Sequence, residues 1–235
     1  MDVKDWIDSL SDKQKKHLEG VFSDYDSDKS GTIETKELKE LFTESGYSFT
    51  KTQFNHVLKF ADVDGSGTLD KKEFLAICSF LNAVQDLFDE YKVSDEEPAY
   101  VPFSKLRKLL AAAAYEFTNK QLRLCRALCD ADKSGKLEFE EILDLFIYLK
   151  WLQVAFERVD KDNSNSISLE EVLAALTTLG HNIEPSKAKK VFAKVDIDRS
   201  NELCFSEFFE FTVEAKIDVR NMDYEDDGAN VEFDS

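Results

Sequence analysis

The stretch Asp26–Glu37 reads DSDKSGTIETKE, and 36 residues further on Asp62–Glu73 reads DVDGSGTLDKKE. Each sets four acids into twelve residues rich in Ser, Gly and Thr, a composition that turns rather than extends. Carboxylates so crowded repel one another, and the chain tolerates them only if a cation lies among them. The spelling recurs at Asp130–Glu141 (DADKSGKLEFEE), Asp160–Glu171 (DKDNSNSISLEE) and Asp196–Glu207 (DIDRSNELCFSE). Every copy has Asp at positions 1 and 3, Ser at 5, an aliphatic residue at 8 and Glu at 12. Five copies in one chain form an internal repeat, and the repeat organises everything around it.

The composition around the loops narrows the function. A chain of 235 residues with 43% hydrophobic and 12% aromatic content fills one or two ordinary domains. Thirty basic residues against 48 acidic ones give a formal charge of −18, which disfavours nucleic acid and anionic membranes and favours cations and basic peptides. No run of apolar residues is long enough for a membrane span, and the start MDVKDW reads as neither a signal peptide nor a myristoylation site. Cys78, Cys125, Cys129 and Cys204 read as reduced thiols of a cytoplasmic protein. There is no Gly-rich phosphate loop, nucleophile elbow or metalloprotease helix, so the chain is not expected to be an enzyme.

The five loops resemble the twelve-residue calcium loop of the EF-hand family, and the resemblance extends over nearly the whole chain. Calcium takes six to eight hard oxygen ligands at about 2.3–2.6 Å, and the loop residue types match that demand. Positions 1, 3 and 5 offer side-chain oxygens: Asp26, Asp28 and Ser30; Asp62, Asp64 and Ser66; Asp130, Asp132 and Ser134; Asp160, Asp162 and Ser164; Asp196, Asp198 and Ser200. Position 7 offers a backbone carbonyl, which leaves its side chain free to vary among Thr32, Thr68, Lys136, Ser166 and Glu202. Position 12 reaches in from the following helix with two oxygens of Glu37, Glu73, Glu141, Glu171 or Glu207. Position 6 turns sharply enough to want positive φ, hence Gly31, Gly67 and Gly135, with the tolerant Asn165 and Asn201 in the last two loops. Position 9 is acidic in the first three loops (Glu34, Asp70, Glu138) but Ser168 and Cys204 in the others. Positions 1, 3, 9 and 12 carry four acids in each of the first three loops and three in each of the last two, so the two C-terminal loops are expected to bind more weakly; about five Ca2+ sites are expected, with Mg2+ competing for them.

The interval between Asp62 and Asp130 has room for a sixth unit. Thirty-six residues before Asp130, SDEEPAYVPFSK begins at Ser94 and places Val101 at position 8, with Phe103 opening an outgoing helix. Its ligand positions have decayed to Ser94, Pro98 and Lys105, so no calcium is expected there. EF-hands associate in twos through a short antiparallel ladder at position 8. The pairs are then Ile33 with Leu69, Val101 with Leu137 and Ile167 with Leu203, and the spoiled hand serves as scaffold for its neighbour. The expected fold is all-α: six helix–loop–helix units in three pairs, over residues 1–81, 82–149 and 150–216, followed by an acidic tail over 217–235. Such an arrangement resembles the calbindin–calretinin–secretagogin group, a resemblance that implies three pairs packed into one globule; this chain is shorter, and its inactive hand is the third.

Helix starts are written as capping boxes at Ser11 (SDKQ), Thr50 (TKTQ) and Thr118 (TNKQ), and Pro185 suits a first helical turn. The connectors KKEFLAICSFLNAVQDLFDEY and FEEILDLFIYLKWLQVAFERV lack Gly and Pro, and a break is expected in at least one. Cys125 and Cys129 read as buried thiols, and His17, His56 and His181 are too scattered for a zinc site. The apolar stripe Val3, Trp6, Ile7 and Leu10 reads as a helix covering the core, or as an anchor that leaves a groove when calcium arrives. Function then lies between a calcium sensor or sensor/buffer, a pure buffer, and a calcium-binding regulatory subunit of an enzyme. Met1 and Met222 lie outside the hands, which argues against a promiscuous groove and leaves either a Phe- and Leu-lined groove for one specific target protein or peptide or no opening at all, on a chain expected to be a monomer.

Overall fold

The computed structural model describes residues 7–8, 10–93, 98–130, 132–178, 183–217 and 219. Val3 and Trp6 of the N-terminal stripe, Ser94 of the decayed loop, His181 and most of the acidic tail lie outside these. Among the described residues, the elements with full bounds follow in order: α1 (Asp12–Tyr25), β1 (Thr32–Glu34), α2 (Thr35–Glu44), α3 (Lys51–Ala61), β2 (Thr68–Asp70) and α4 (Lys71–Tyr91). Next come β3 (Val101–Pro102), α5 (Phe103–Ala112), α6 (Asn119–Cys129), β4 (Lys136–Leu137) and α7 (Phe139–Val159). The chain continues with β5 (Ile167–Ser168), α8 (Leu169–Thr178), α9 (Pro185–Val195), β6 (Glu202–Leu203) and α10 (Phe205–Ala215). Among the described residues, no helix is long and apolar enough to cross a membrane.

The local signals for helix starts are realised. Ser11, Thr50 and Thr118 each accept a hydrogen bond from the N3 amide, and the side chains of Gln14, Gln53 and Gln121 accept one from the cap residue's own amide. These reciprocal bonds satisfy amides that a helix start leaves without partners. Pro185 opens α9, where its missing N–H costs nothing.

Among the described residues, six strands form three two-stranded antiparallel sheets, β1 with β2, β3 with β4 and β5 with β6. The register places Ile33 opposite Leu69, Val101 opposite Leu137 and Ile167 opposite Leu203, all six fully buried. A two-residue ladder is marginal in water, so burial of these aliphatic pairs carries it. The segment around Val101 forms the same ladder although Pro98 and Lys105 stand where the other loops have Ser and Glu.

The expectation of a break in a connector is overturned. α4 and α7 are each one helix of 21 residues, spanning both quoted segments without interruption. Glu73 to Leu81 of α4 are all buried, so neighbours surround the helix and no bend is needed to hide an apolar face.

The chain divides into two compact units, residues 1–150 and 151–235, with the division inside α7. In the first, Phe22 meets Phe74 edge to face at 5.5 Å, and Phe139 lies 5.4 Å from Tyr47 and 5.6 Å from Phe88. His56 Nδ1 lies 2.6 Å from Asp144 Oδ1, and the Ser48 amide donates to Glu140 at 2.9 Å. The first two loop pairs therefore share one core. In the second unit Phe156 packs against Phe205 and Phe208, at 5.8 and 5.7 Å.

Candidate metal centres

Backbone conformation shapes each loop before any side chain acts. Position 6 has positive φ throughout: 85°, 81° and 75° at Gly31, Gly67 and Gly135, 61° and 64° at Asn165 and Asn201. Position 4 does too, at Lys29, Gly65, Lys133, Asn163 and Arg199. Sequence reasoning missed this second left-handed residue, since Lys and Arg carry no local preference for it. Its function is geometric: two left-handed residues flanking position 5 curl the chain so that successive amides face the loop interior.

Those amides orient the acids. The position-6 N–H donates to the position-1 carboxylate, at 3.0 Å for Gly31 to Asp26, 2.8 Å for Gly67 to Asp62, 2.8 Å for Asn165 to Asp160 and 3.1 Å for Asn201 to Asp196. The position-5 amide donates to the position-3 carboxylate in all five loops, as from Ser66 to Asp64 at 2.9 Å and from Ser134 to Asp132 at 2.8 Å. The position-5 hydroxyl donates to the position-7 carbonyl, at 3.0 Å in four loops and 2.8 Å for Ser200 to Glu202.

Position 12 has two tasks. Glu37, Glu73, Glu141, Glu171 and Glu207 each accept the position-9 amide on Oε2, holding the first turn of the helix that follows. The other oxygen takes the position-2 amide from Val63 to Glu73 at 2.8 Å, from Lys161 to Glu171 at 3.0 Å and from Ile197 to Glu207 at 3.1 Å. Helix capping thus aims the glutamate into the loop.

The hydrogen bonds also set the charge state. Bonds from Ser30, Ser66, Ser164 and Ser200 hold the carboxyls of Asp28, Asp64, Asp162 and Asp198 below their ordinary range. The amides of Glu34 and Ser168 do the same for Glu37 and Glu171. Burial instead pushes Glu73 up, despite its two amide donors.

Four loops bring three carboxylates together: Asp62, Asp64 and Glu73; Asp130, Asp132 and Glu141; Asp160, Asp162 and Glu171; Asp196, Asp198 and Glu207. Within each group one oxygen per residue lies within 4.8 Å of the others. Two ligands on opposite sides of Ca2+ are at most about 4.6–5.2 Å apart, twice the bond length, so these groups fit that ion. Their donors are all hard oxygens, as calcium requires. The first loop has the same residues, but Asp26, Asp28 and Glu37 are not among the gathered groups. There the Ser27 hydroxyl holds Glu37 Oε1 at 2.8 Å.

In the sixth unit, Lys105 Nζ donates to the Lys92 carbonyl at 3.4 Å, beside the end of α4. Cys125 and Cys129 are buried free thiols, and Cys204 at position 9 of the last loop is exposed.

Comparison with known proteins agrees with this architecture. A family model described as an EF-hand domain pair matches residues 15–79 and 149–213. Troponin C of Tyrophagus putrescentiae is 31% identical over 147 residues, 59% of this chain and 96% of that protein. Calcium-dependent protein kinase 21 of Arabidopsis thaliana is 27% identical over 201 residues, which is 86% of this chain but only 26% of the kinase. A solved homolog of programmed cell death 6 protein from Leishmania major Friedlin superposes with a TM-score of 0.55 at 19% identity, covering 72% of this chain and 92% of that one, and shares the fold.

Proposed function

The chain belongs to the EF-hand family of calcium-binding proteins, and on that premise we propose that five of its six hands each hold one Ca2+ and that occupancy switches the protein towards one specific target. The observation that carries this reading is the gathering of three carboxylates per loop to calcium-sized separations in four loops, with amides already aiming them. Positions 1, 3, 5, 7 and 12 supply the oxygens, and the first loop joins the set once its glutamate leaves Ser27. The unit opened by α4 and closed by α5 takes no ion and supports its partner through the Val101–Leu137 pair. Mg2+ competes at the same oxygens, less well, because it demands a tighter octahedron. The three-pair plan is the feature the chain has in common with the calbindin–calretinin–secretagogin group.

Inequality among the loops supports a sensor over a pure buffer. In one acid triad the glutamate is bonded by the Ser27 hydroxyl, and another triad is engaged by a neighbouring arginine, so the sites are expected to fill over a range of calcium concentration. A sensor opens its helix pairs and exposes apolar surface, which a buffer hardly does. An environment-sensitive dye such as anilinonaphthalene sulfonate distinguishes them. Its fluorescence in the presence of protein rises when calcium is added to a sensor; an unchanged signal overturns the sensor reading and leaves a buffer.

A further inference from the structure

In four loops the residue four places before position 1 is apolar: Phe22, Leu58, Phe156 and Phe192. Before Asp130 it is Arg126. The structure makes this exception concrete. Arg126 Nε donates to Asp130 Oδ2 at 2.8 Å, and the guanidinium lies 5.5 Å from the centre of the Phe103 ring, in cation–π range. Its Nη2 would be 3.1 Å from a Cβ placed on Gly135, so it lies against position 6 of the loop. The loop's own bonding adjusts to it. The Gly135 amide reaches Asp130 through two long contacts, 3.3 and 3.2 Å, where each of the other four loops has a bond of 2.8–3.1 Å.

We propose that Arg126 is a tethered cation that lowers the calcium affinity of the Asp130–Glu141 loop, and that Phe103, from the hand without ligands, holds it in place. The proposal rests on the reading of that loop as a calcium site. Calcium brings two positive charges to a carboxylate already bonded to a third, and the repulsion weakens binding even where both cations touch Asp130 through different oxygens. The decayed hand thereby gains a role beyond its ladder: its first outgoing helical residue sets the affinity of its neighbour. The site then responds at higher calcium than its four acids alone imply.

The test is a calcium titration of the full chain followed by the amide resonances of Gly31, Gly67 and Gly135, one reporter for each of the first three loops. Arg126→Leu, which copies the residue before the second loop, is expected to move the Gly135 midpoint to roughly tenfold lower calcium while leaving Gly31 and Gly67 in place. Phe103→Leu keeps the apolar bulk but removes the ring, and is expected to shift Gly135 in the same direction by a smaller factor. Metal-free melting of both variants checks that the fold is intact. A Gly135 midpoint that stays put, or moves to higher calcium in Arg126→Leu, overturns the proposal while leaving the loop a calcium site. A Gly135 resonance that ignores calcium in every variant removes the site itself, and the inference with it.

Discussion

Position 2 of each loop carries no ligand in the sequence pattern, yet it separates the first loop from the others. Val63, Lys161 and Ile197 present only a backbone amide to the position-12 glutamate, whereas Ser27 adds a hydroxyl that takes Glu37 Oε1. Removing that hydroxyl with Ser27→Ala frees the glutamate. A net hydrogen bond is worth about 0.5–1.5 kcal/mol, so calcium affinity at the first loop is expected to rise roughly two- to tenfold, read from the Gly31 amide. Neither Ser27 nor Arg126 was singled out in the sequence, because a loop pattern scores ligand positions and ignores their neighbours. The signal for Arg126 was present as one charged residue in a column of apolar ones. Left-handed Lys29, Lys133 and Arg199 had no such signal. Thiols give a second prediction at this scale. Burial pushes Cys78 and Cys125 up to about 12 and raises Cys129 further, so almost none is thiolate at pH 8, the form that reacts. A maleimide or Ellman's reagent at pH 8 is expected to modify Cys204 alone in the native protein and all four thiols after denaturation; rapid modification of Cys125 in the native state contradicts the burial.

At the scale of elements, starts were legible and continuity was not. Ser11, Thr50, Thr118 and Pro185 announce helices because capping is a local bond between residues three apart. Whether α4 bends depends on what packs around it, and the sequence carries that only indirectly. The wholly buried run from Glu73 to Leu81 favours one continuous helix. Ala83 lies exposed near its middle. Ala83→Gly is therefore expected to cost about 1 kcal/mol, the price of Gly in a helix interior, in chemical denaturation of the metal-free chain. A neutral result would mean a break at that point. The ladder gives another test. Val101 is fully buried opposite Leu137, and Val101→Ala is expected to destabilise the first unit by roughly 2 kcal/mol and to weaken calcium binding at the Asp130 loop, although Val101 supplies no ligand. An unchanged Gly135 titration in that variant would remove the scaffold role from the decayed hand.

For the whole molecule, charge dominates. Five Ca2+ ions would bring a formal charge of −18 to −8 and relieve the crowding of acids in the loops. Binding to the folded form alone adds about 2.7 kcal/mol for each site at a hundred times its Kd, so calcium is expected to raise Tm by at least about 10 °C. The boundaries expected from the sequence, at 81 and 149, fall inside the continuous helices α4 and α7 rather than in linkers. Loops mark hands in the sequence, but only packing marks the edges of compact units, and the division between residues 150 and 151 has no turn or linker to announce it. Native mass spectrometry of the full chain in excess calcium tests the central claim most directly. The account predicts a mass increase of five calcium ions, falling to four in Glu73→Gln, Glu141→Gln, Glu171→Gln or Glu207→Gln taken singly. A chain that takes up no calcium, or a sixth ion lost on changing Lys105, contradicts it.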